Sequence, residues 1–492
     1  RVLEQGGLVS MLHYLTAIQL AKKVRDREVG CVELLEHFLD RCRRYNDSIN
    51  AIIVWNTEAA RIRAEAADVA LAKGEIWGPL HGVPMTIKES YDVCGLPTTW
   101  GVPEYKTHVA QTNAVVVDRM LKAGVVLFGK TNVPLLLGDW QTFNEIYGTT
   151  SNPWDLERVP GGSSGGSAAA LSAGLTGIES GSDIGGSIRN PAHYCGVYGH
   201  KPTWGVVPVR GQALPGDLAH TDIAVVGPLA RGAGDLALAL ECMAGSDDLE
   251  SDGWKLDLVK PIKRRLSEFR VAVMLSDDNC PVDGEYGDQV QHVVDVMAKN
   301  GVIVSDRARP DIDLARSHGV YLQLLRAVTT AIQPLDCFEE NRRKSAALKP
   351  GDDDYVARNL RASVQYHRDW MSVNEERAKM RWRWHEFFQD WDLLLCPVAS
   401  SAAFVHDQQG DRPDRVIDVN GKPQCTMDQL FWAGMSSVVY LPSTVAPVGC
   451  TKSQLPVGVQ MVGPSMHDLR IIDFARLLTN EIGGFQPPPG YA

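Results

Sequence analysis

The sequence predicts an α/β fold, in which apolar strands alternate with amphipathic helices along the chain. Apolar residues recur at helical spacing in several segments of the first half, for example over residues 31–45 and 59–73. Short apolar runs at residues 82–88 and 124–128 have the length of buried strands. The second half again mixes both kinds of segment, so the whole chain is expected to build one layered structure.

The same patterns place the individual elements. Residues 8–20 are apolar and are predicted to be helical rather than a signal peptide, with Thr16 as an N-cap. Further helices are predicted over residues 31–45, 59–73, 116–123, 167–173, 288–300, 312–331 and 372–390. Strands are predicted over residues 82–88, 124–128, 271–275, 302–305 and 393–397. No Gly/Ser-rich or Pro-rich linker divides the chain, so residues 1–492 are predicted to form a single domain.

Composition excludes several classes of function. The 492 residues carry 49 Lys and Arg against 60 Asp and Glu, a net charge of −11 that disfavours binding to nucleic acid or to anionic membranes. No run of 18 apolar residues occurs. The ten cysteines are scattered without a C-x-x-C pair, which is typical of free thiols and favours a cytoplasmic location.

Two motifs resemble cofactor or metal sites only in part. Residues 124–131 fit the phosphate-loop pattern, but their four middle residues are apolar and look like a strand rather than a loop. His385-Glu386 is not followed by the second histidine that a zinc site of this kind needs. We therefore expect neither a metal nor a cofactor.

A serine hydrolase elbow is an alternative. The pattern G-x-S-x-G occurs twice in overlap and would make Ser163 or Ser164 the nucleophile. An elbow follows an apolar strand, whereas the residues before Gly161 have the composition of a loop. It also needs a downstream histidine, and neither His406 nor His467 stands out.

A glycine-rich stretch with a lysine upstream carries the favoured chemistry. Residues 161–187 hold nine glycines, and residues 184–187 form a turn of consecutive N–H donors suited to an oxyanion hole. Ser187 lies at the end of this turn, where a nucleophile belongs. A serine needs a base, and a lysine on a buried strand, such as Lys88, can be neutral because desolvation lowers its pKa. His193 and His200 are the alternative bases.

These segments, taken together and in order, resemble the amidase signature family. The resemblance is carried by HGVPMTIKES around Lys88, by GGSSGGSAAA and GSDIGGSIRNPA within residues 161–192, by CGVYGHKPT, and by LPVGVQMVG at residues 455–463. It is densest over about 75–240 and weakest over about 245–425. It implies one large mixed β-sheet sandwiched between α-helices.

The resemblance also implies a role for each site residue. Ser187 would be the nucleophile, Ser163 a bridging serine after a cis peptide bond, and Lys88 the base of a Ser-cisSer-Lys triad. The N–H groups of Ile184, Gly185, Gly186 and Ser187 would form the oxyanion hole. The expected supporting residues are Ser164, Asp183 and Arg189. The candidates for the substrate pocket are Leu136, Trp140 and Gln141.

The implied function is hydrolysis of carbon–nitrogen bonds in small amides, with carbamates and esters open to the same chemistry. The likeness extends to aryl acylamidases and urethanases. An alternative is the glutaminase component (the A chain) of a tRNA-dependent amidotransferase. Residues 133–141, VPLLLGDWQ, differ from the acidic segment expected of that component. We expect a monomer or a homodimer. Residues 205–222, rich in glycine and proline, are a candidate lid.

Overall fold

A computed structural model describes residues 12–491. Fourteen α-helices lie in this part of the chain, α1 to α14 in order: Ala17–Arg25, Cys31–Ile49, Thr57–Ala72, Val115–Lys122, Gly165–Ser172, Arg189–Cys195, Ala233–Met243, Gly284–Lys299, Leu314–Thr329, Leu335–Ala346, Tyr355–Ser363, His367–Phe387, Leu430–Ser437 and Asp468–Ile482. Fifteen strands accompany them, β1 to β15: Ile52–Trp55, Pro84–Lys88, Val126–Thr131, Phe143–Asn144, Gly148–Thr149, Glu179–Asp183, Tyr198–Lys201, Val225–Ala230, Arg270–Val273, Ile303–Ser305, Leu393–Pro397, Val416–Val419, Lys422–Cys425, Ser443–Cys450 and Pro456–Val462.

The centre of the fold is a large mixed sheet. Eight strands pair in the order β10-β9-β11-β15-β14-β7-β8-β6, parallel among the first three and antiparallel thereafter. A three-stranded sheet, β1-β3-β2, continues it, because a bridge between Met85 and Ile178 joins β2 to the start of β6. Helices pack against these strands, among them α7 on β8 and α14 on β14. The predicted α/β class, with one large mixed sheet between helices, is confirmed.

Most of the predicted elements are present with shifted ends. The two strands expected at residues 82–88 and 124–128 begin at Pro84 and Val126, because Gly82 and Gly124 have φ values of 78° and 102° and belong to turns. Thr16 caps α1 in a capping box, as predicted. Of the helix expected over residues 8–20, residues 8–11 lie outside the described part.

Six helices were not predicted from the sequence: α6, α7, α10, α11, α13 and α14. Two of them, α10 and α11, show why. No residue of α10 is buried, so it has no apolar stripe from which a helix could be inferred. The acidic run at residues 352–354 ends in Asp354, whose side chain accepts a hydrogen bond from the Ala357 N–H and caps α11. Both helices lie in the part of the chain where the family motifs are weakest.

This architecture brings the ends of β2 and β6 together. The pairing of Met85 with Ile178 sets Lys88, at the end of β2, beside Ser182 and Asp183, at the end of β6. Helix α5 begins directly after Ser163 and Ser164 and also packs on β2 and β6. Between residues 12 and 491, no helix is long and apolar enough to cross a membrane.

Candidate active site

Lys88 is fully buried at the end of β2. Its Nζ donates to Ser163 Oγ at 2.6 Å and to Ser182 Oγ at 2.9 Å. A lysine inside a folded domain is held by such contacts, because an ammonium group without partners is costly to desolvate. The first link of the predicted chain of side chains is therefore present.

Burial also decides the protonation of Lys88. Desolvation lowers the pKa of its amine to about 7, and the carboxylates of Asp183 and Glu179 oppose this change. Burial in turn raises the pKa of Glu179 to about 8, so the Glu179 carboxyl group is mostly protonated and neutral near pH 7. Lys88 can thus be a neutral base in the physiological range of pH.

Ser163 follows a cis peptide bond with Gly162, as the resemblance implied. Gly162 leaves no room for a side chain, since a Cβ there would lie 2.2 Å from the carbonyl oxygen of Asp139. The Ser164 N–H donates to the carbonyl oxygen of Ser187 at 3.1 Å, which ties the two serine segments together. Within residues 12–491, however, Ser163 Oγ and Ser187 Oγ share no hydrogen bond.

The turn before Ser187 presents free amides. In the described chain, the N–H groups of Ile184, Gly185 and Ser187 donate to no protein acceptor. The Gly186 N–H differs, because it donates to Asp183 Oδ1 at 3.0 Å. Three of the four amides expected as oxyanion donors are therefore free, and the fourth helps to hold the turn in shape.

A buried ion pair supports the same turn. The Arg189 guanidinium donates to both oxygens of Asp183, at 2.9 and 3.0 Å, and both residues are at most 1% exposed. Asp183 Oδ2 also accepts from the Ile188 N–H at 3.1 Å. Burial alone would raise the pKa of Asp183, but the charge and hydrogen bonds of Arg189 outweigh it and hold the pKa at about 2.

We expect Asp183→Asn to destabilise the protein by about 3–5 kcal/mol, because it leaves Arg189 as an uncompensated buried charge. Thermal unfolding at pH 7 measures this loss. The low pKa of Asp183 gives the pH dependence: its contribution is complete above about pH 4 and is lost as the pH falls toward 2.

A surface ion pair provides the matched control for this variant. Asp353 pairs with Arg358 on α11, and the exposed fraction is 69% for the Asp353 side chain and 39% for the Arg358 side chain. Asp353→Asn should leave the unfolding temperature close to that of the unchanged protein. An Asp183→Asn protein as stable as this control would show that the buried pair does not hold the turn.

The three pocket candidates lie in different environments. Trp140 Nε1 donates to the carbonyl oxygen of Gly185 at 2.8 Å, so this indole lies against the turn. Leu136 is 42% exposed in a short 3₁₀ turn. Gln141 is buried and is hydrogen-bonded on both side-chain atoms to the backbone of Asp407. The position of Trp140 fits a pocket wall, whereas Gln141 anchors a loop.

Ser182 and Gln212 were missed in the sequence. Gln212 Nε2 donates to Ser182 Oγ at 3.2 Å and to Ser90 Oγ at 3.1 Å, beside the Lys88 contact. This contact places part of the candidate lid, residues 205–222, next to Lys88. Ser182 had a usable signal, since it lies two residues before the turn of N–H donors in the sequence.

The two histidines near the motif are used elsewhere. His193 Nδ1 accepts from the Gly458 N–H at 2.8 Å and its Nε2 lies 2.9 Å from the carbonyl oxygen of Ser401. Burial lowers the pKa of His193 to about 4. His200 Nε2 lies 3.0 Å from Asp468. Among residues 12–491, no three His, Cys, Asp or Glu side chains are grouped to hold a metal ion.

Comparisons with known proteins also point to amidases. The family model described as Amidase matches residues 33–472. An indoleacetamide hydrolase of Bradyrhizobium diazoefficiens is 32% identical over 480 residues, which cover 95% of this chain and 86% of the relative. The A component of the glutamyl-tRNA(Gln) amidotransferase of Alkaliphilus metalliredigens is 27% identical over 499 residues, covering 96% and 98% of the two chains. The structure of a bacterial aryl acylamidase matches over 96% of each chain with a TM-score of 0.78 at 23% identity, a likeness of fold.

Proposed function

This chain belongs to the amidase signature family, and on that premise we propose that it hydrolyses small carboxamides through an acyl-enzyme on Ser187. The observation that carries the proposal is the 2.6 Å contact between Lys88 Nζ and Ser163 Oγ, next to the turn with three free N–H groups. A base, a bridging hydroxyl and a set of oxyanion donors are the parts that acyl transfer needs.

The reaction proceeds by proton transfer along the serines. Neutral Lys88 takes a proton from Ser163, which takes one from Ser187 as its Oγ attacks the carbonyl carbon. The carbonyl oxygen becomes an oxyanion held by the N–H groups of Ile184, Gly185 and Ser187. This transfer requires Ser163 Oγ and Ser187 Oγ to come within hydrogen-bond distance when substrate binds, as catalytic groups often do.

Collapse of this intermediate breaks the carbon–nitrogen bond. The nitrogen leaves as an amine after it takes the proton back along the relay. The acyl group remains on Ser187 as an ester. Water then attacks that ester, gives its proton to the relay, and releases the carboxylic acid with Ser187 restored. Carbamates and esters have the same tetrahedral intermediate, so these residues alone do not choose among the three substrate classes.

A second candidate is the glutaminase component of an amidotransferase, because proteins of that kind are among the relatives. Residues 133–141 argue for a stand-alone hydrolase. Trp140 gives the turn an apolar neighbour, where a glutamine side chain would need polar partners. The indoleacetamide hydrolase among the relatives is named for an aromatic amide, which such a surface suits.

A substrate panel tests the proposal. We expect the purified chain alone to release arylamine from N-aryl acetamides and ammonia from indoleacetamide, and to release ammonia from glutamine much more slowly. Carbamate and ester analogues with the same aryl group rank the three classes. Glutamine as the best substrate, or activity only with co-purifying partner proteins, would favour the amidotransferase instead.

A further inference from the structure

The turn before Ser187 presents its free N–H groups only while its peptide planes keep their orientation. In a trans peptide, the C=O and N–H groups point in opposite directions. Rotation of the Ile184–Gly185 peptide changes ψ of Ile184 and φ of Gly185, and a glycine tolerates φ of either sign. After such a rotation the carbonyl oxygen of Ile184, instead of the Gly185 N–H, would face the oxyanion. The turn therefore needs contacts that hold its carbonyl groups.

Three hydrogen bonds from outside the turn hold these carbonyl groups. Their donors and acceptors are the Tyr321 hydroxyl and the Ile184 oxygen at 2.9 Å, Trp140 Nε1 and the Gly185 oxygen at 2.8 Å, and the Asn190 N–H and the Gly186 oxygen at 2.7 Å. The Gly185–Gly186 peptide is also held through its N–H, which donates to Asp183. The N–H of the Ile184–Gly185 peptide is free within residues 12–491, so the Tyr321 hydroxyl alone fixes this plane.

Tyr321 is itself held firmly in this position. It lies on α9 and is fully buried. Its ring packs on Gly434 of α13, where a Cβ would lie only 2.4 Å from Tyr321 Cδ1. Its hydroxyl oxygen lies 3.2 Å from the position that a Cβ on Gly185 would occupy, so the hydroxyl touches the turn. Burial raises the pKa of this hydroxyl, which therefore keeps its proton and remains a donor.

We propose that Tyr321 is a positioning residue for the oxyanion hole, whose hydroxyl holds the Ile184–Gly185 peptide so that the Gly185 N–H faces the substrate carbonyl. The inference rests on the proposed function, because this N–H is an oxyanion donor only if a substrate carbonyl binds at the turn. A hydrogen bond to the carbonyl group also polarises the peptide, which makes its N–H a stronger donor. Tyr321 thus acts through a peptide group rather than on the reacting atoms.

The kinetic test removes the Tyr321 hydroxyl alone. Tyr321→Phe keeps the ring on Gly434, and it should lower kcat for 4-nitroacetanilide about tenfold, less than the 10²–10³ typical of losing an oxyanion donor altogether. KM should stay within about twofold, because the oxyanion contact is made in the transition state and not in the bound substrate. An unchanged kcat would overturn the proposal. A rise in KM alone would also overturn it, because Tyr321 would then be a binding residue.

A second buried tyrosine provides the matched control. Tyr286 lies on α8, is also fully buried, and donates to the carbonyl oxygen of Gly458 at 2.7 Å. Tyr286→Phe removes the same kind of hydrogen bond outside the turn and should keep kcat. An equal fall of kcat in both variants would overturn the proposal. If Tyr321→Phe does not fold, Gly434→Ala takes its place, since its Cβ must displace the tyrosine ring; an unchanged kcat there would likewise overturn the proposal.

A binding measurement separates this inference from the proposed hydrolysis. Phenethyl trifluoromethyl ketone adds to a serine hydroxyl as a hemiketal whose oxyanion imitates the transition state, so its inhibition constant should be about tenfold higher for Tyr321→Phe than for the unchanged protein. The alcohol made by reducing this ketone forms no hemiketal and should bind both proteins equally. Equal affinity of both proteins for the ketone would refute the role of Tyr321. Hemiketal formation in Ser187→Ala, detected by fluorine NMR, would instead refute the proposed function.

Discussion

Ser187→Ala should lower kcat for amide hydrolysis by roughly 10⁴- to 10⁶-fold while the protein remains folded. Ser187 is the residue at the end of the turn with three free N–H groups, and alanine removes the attacking oxygen without disturbing the backbone. Ser187 is 5% exposed, and its contact with the Ser164 N–H is made by its carbonyl oxygen, which the variant keeps. A fluorophosphonate probe and peptide mapping identify the nucleophile independently of turnover.

A buried serine outside the site is the matched control. Ser172 lies in α5, and its hydroxyl donates to the carbonyl oxygen of Cys195 at 2.8 Å. Ser172→Ala should retain activity and probe labelling. A fluorophosphonate adduct on Ser163 or Ser164, with Ser187→Ala still active, would contradict the assignment and revive the elbow interpretation of the motif.

Sequence reasoning predicted the fold class because the signals were local. Strands such as β2 and β11 are short apolar runs, and helices such as α2 have a buried stripe, so periodicity alone identifies them. Helix α10 has no buried residue and left no such signal. The sheet order was not predictable from periodicity, since it depends on pairings between segments far apart in the chain.

The candidate site, like the fold, was only partly predictable from the sequence. The residues Lys88, Ser163 and Ser187 were selected by motif, but the sequence could not show that Ser182 is the second acceptor for the Lys88 amine. Nor could it show that the Gly186 N–H is engaged by Asp183. Both facts depend on where the ends of two strands meet, which is a property of the assembled sheet.

Lys88→Met should reduce amide hydrolysis by about 10²–10⁴-fold, the usual contribution of a general base, and should reduce ester hydrolysis less. The rate of ester hydrolysis should fall less because an alkoxide or phenolate leaving group needs a proton less than an amine does. In the unchanged protein, the rate should rise with pH as Lys88 loses its proton, with a midpoint near its pKa of about 7, and should level off above it. In Lys88→Met, the rate should not rise with pH over this range.

Lys201 provides a control for assigning the pH dependence of the hydrolysis rate to Lys88. It is also buried, desolvation lowers its pKa to about 7, and its amine donates to the carbonyl oxygen of Pro202 rather than to a serine. Lys201→Met should therefore keep the pH profile of anilide hydrolysis, although both lysines titrate in the same range. For each lysine the lowered pKa means that the unfolded chain binds more protons between about pH 7 and 10.5, so stability rises with pH over that interval. If the rise in rate persisted in Lys88→Met and vanished in Lys201→Met, the base would not be Lys88.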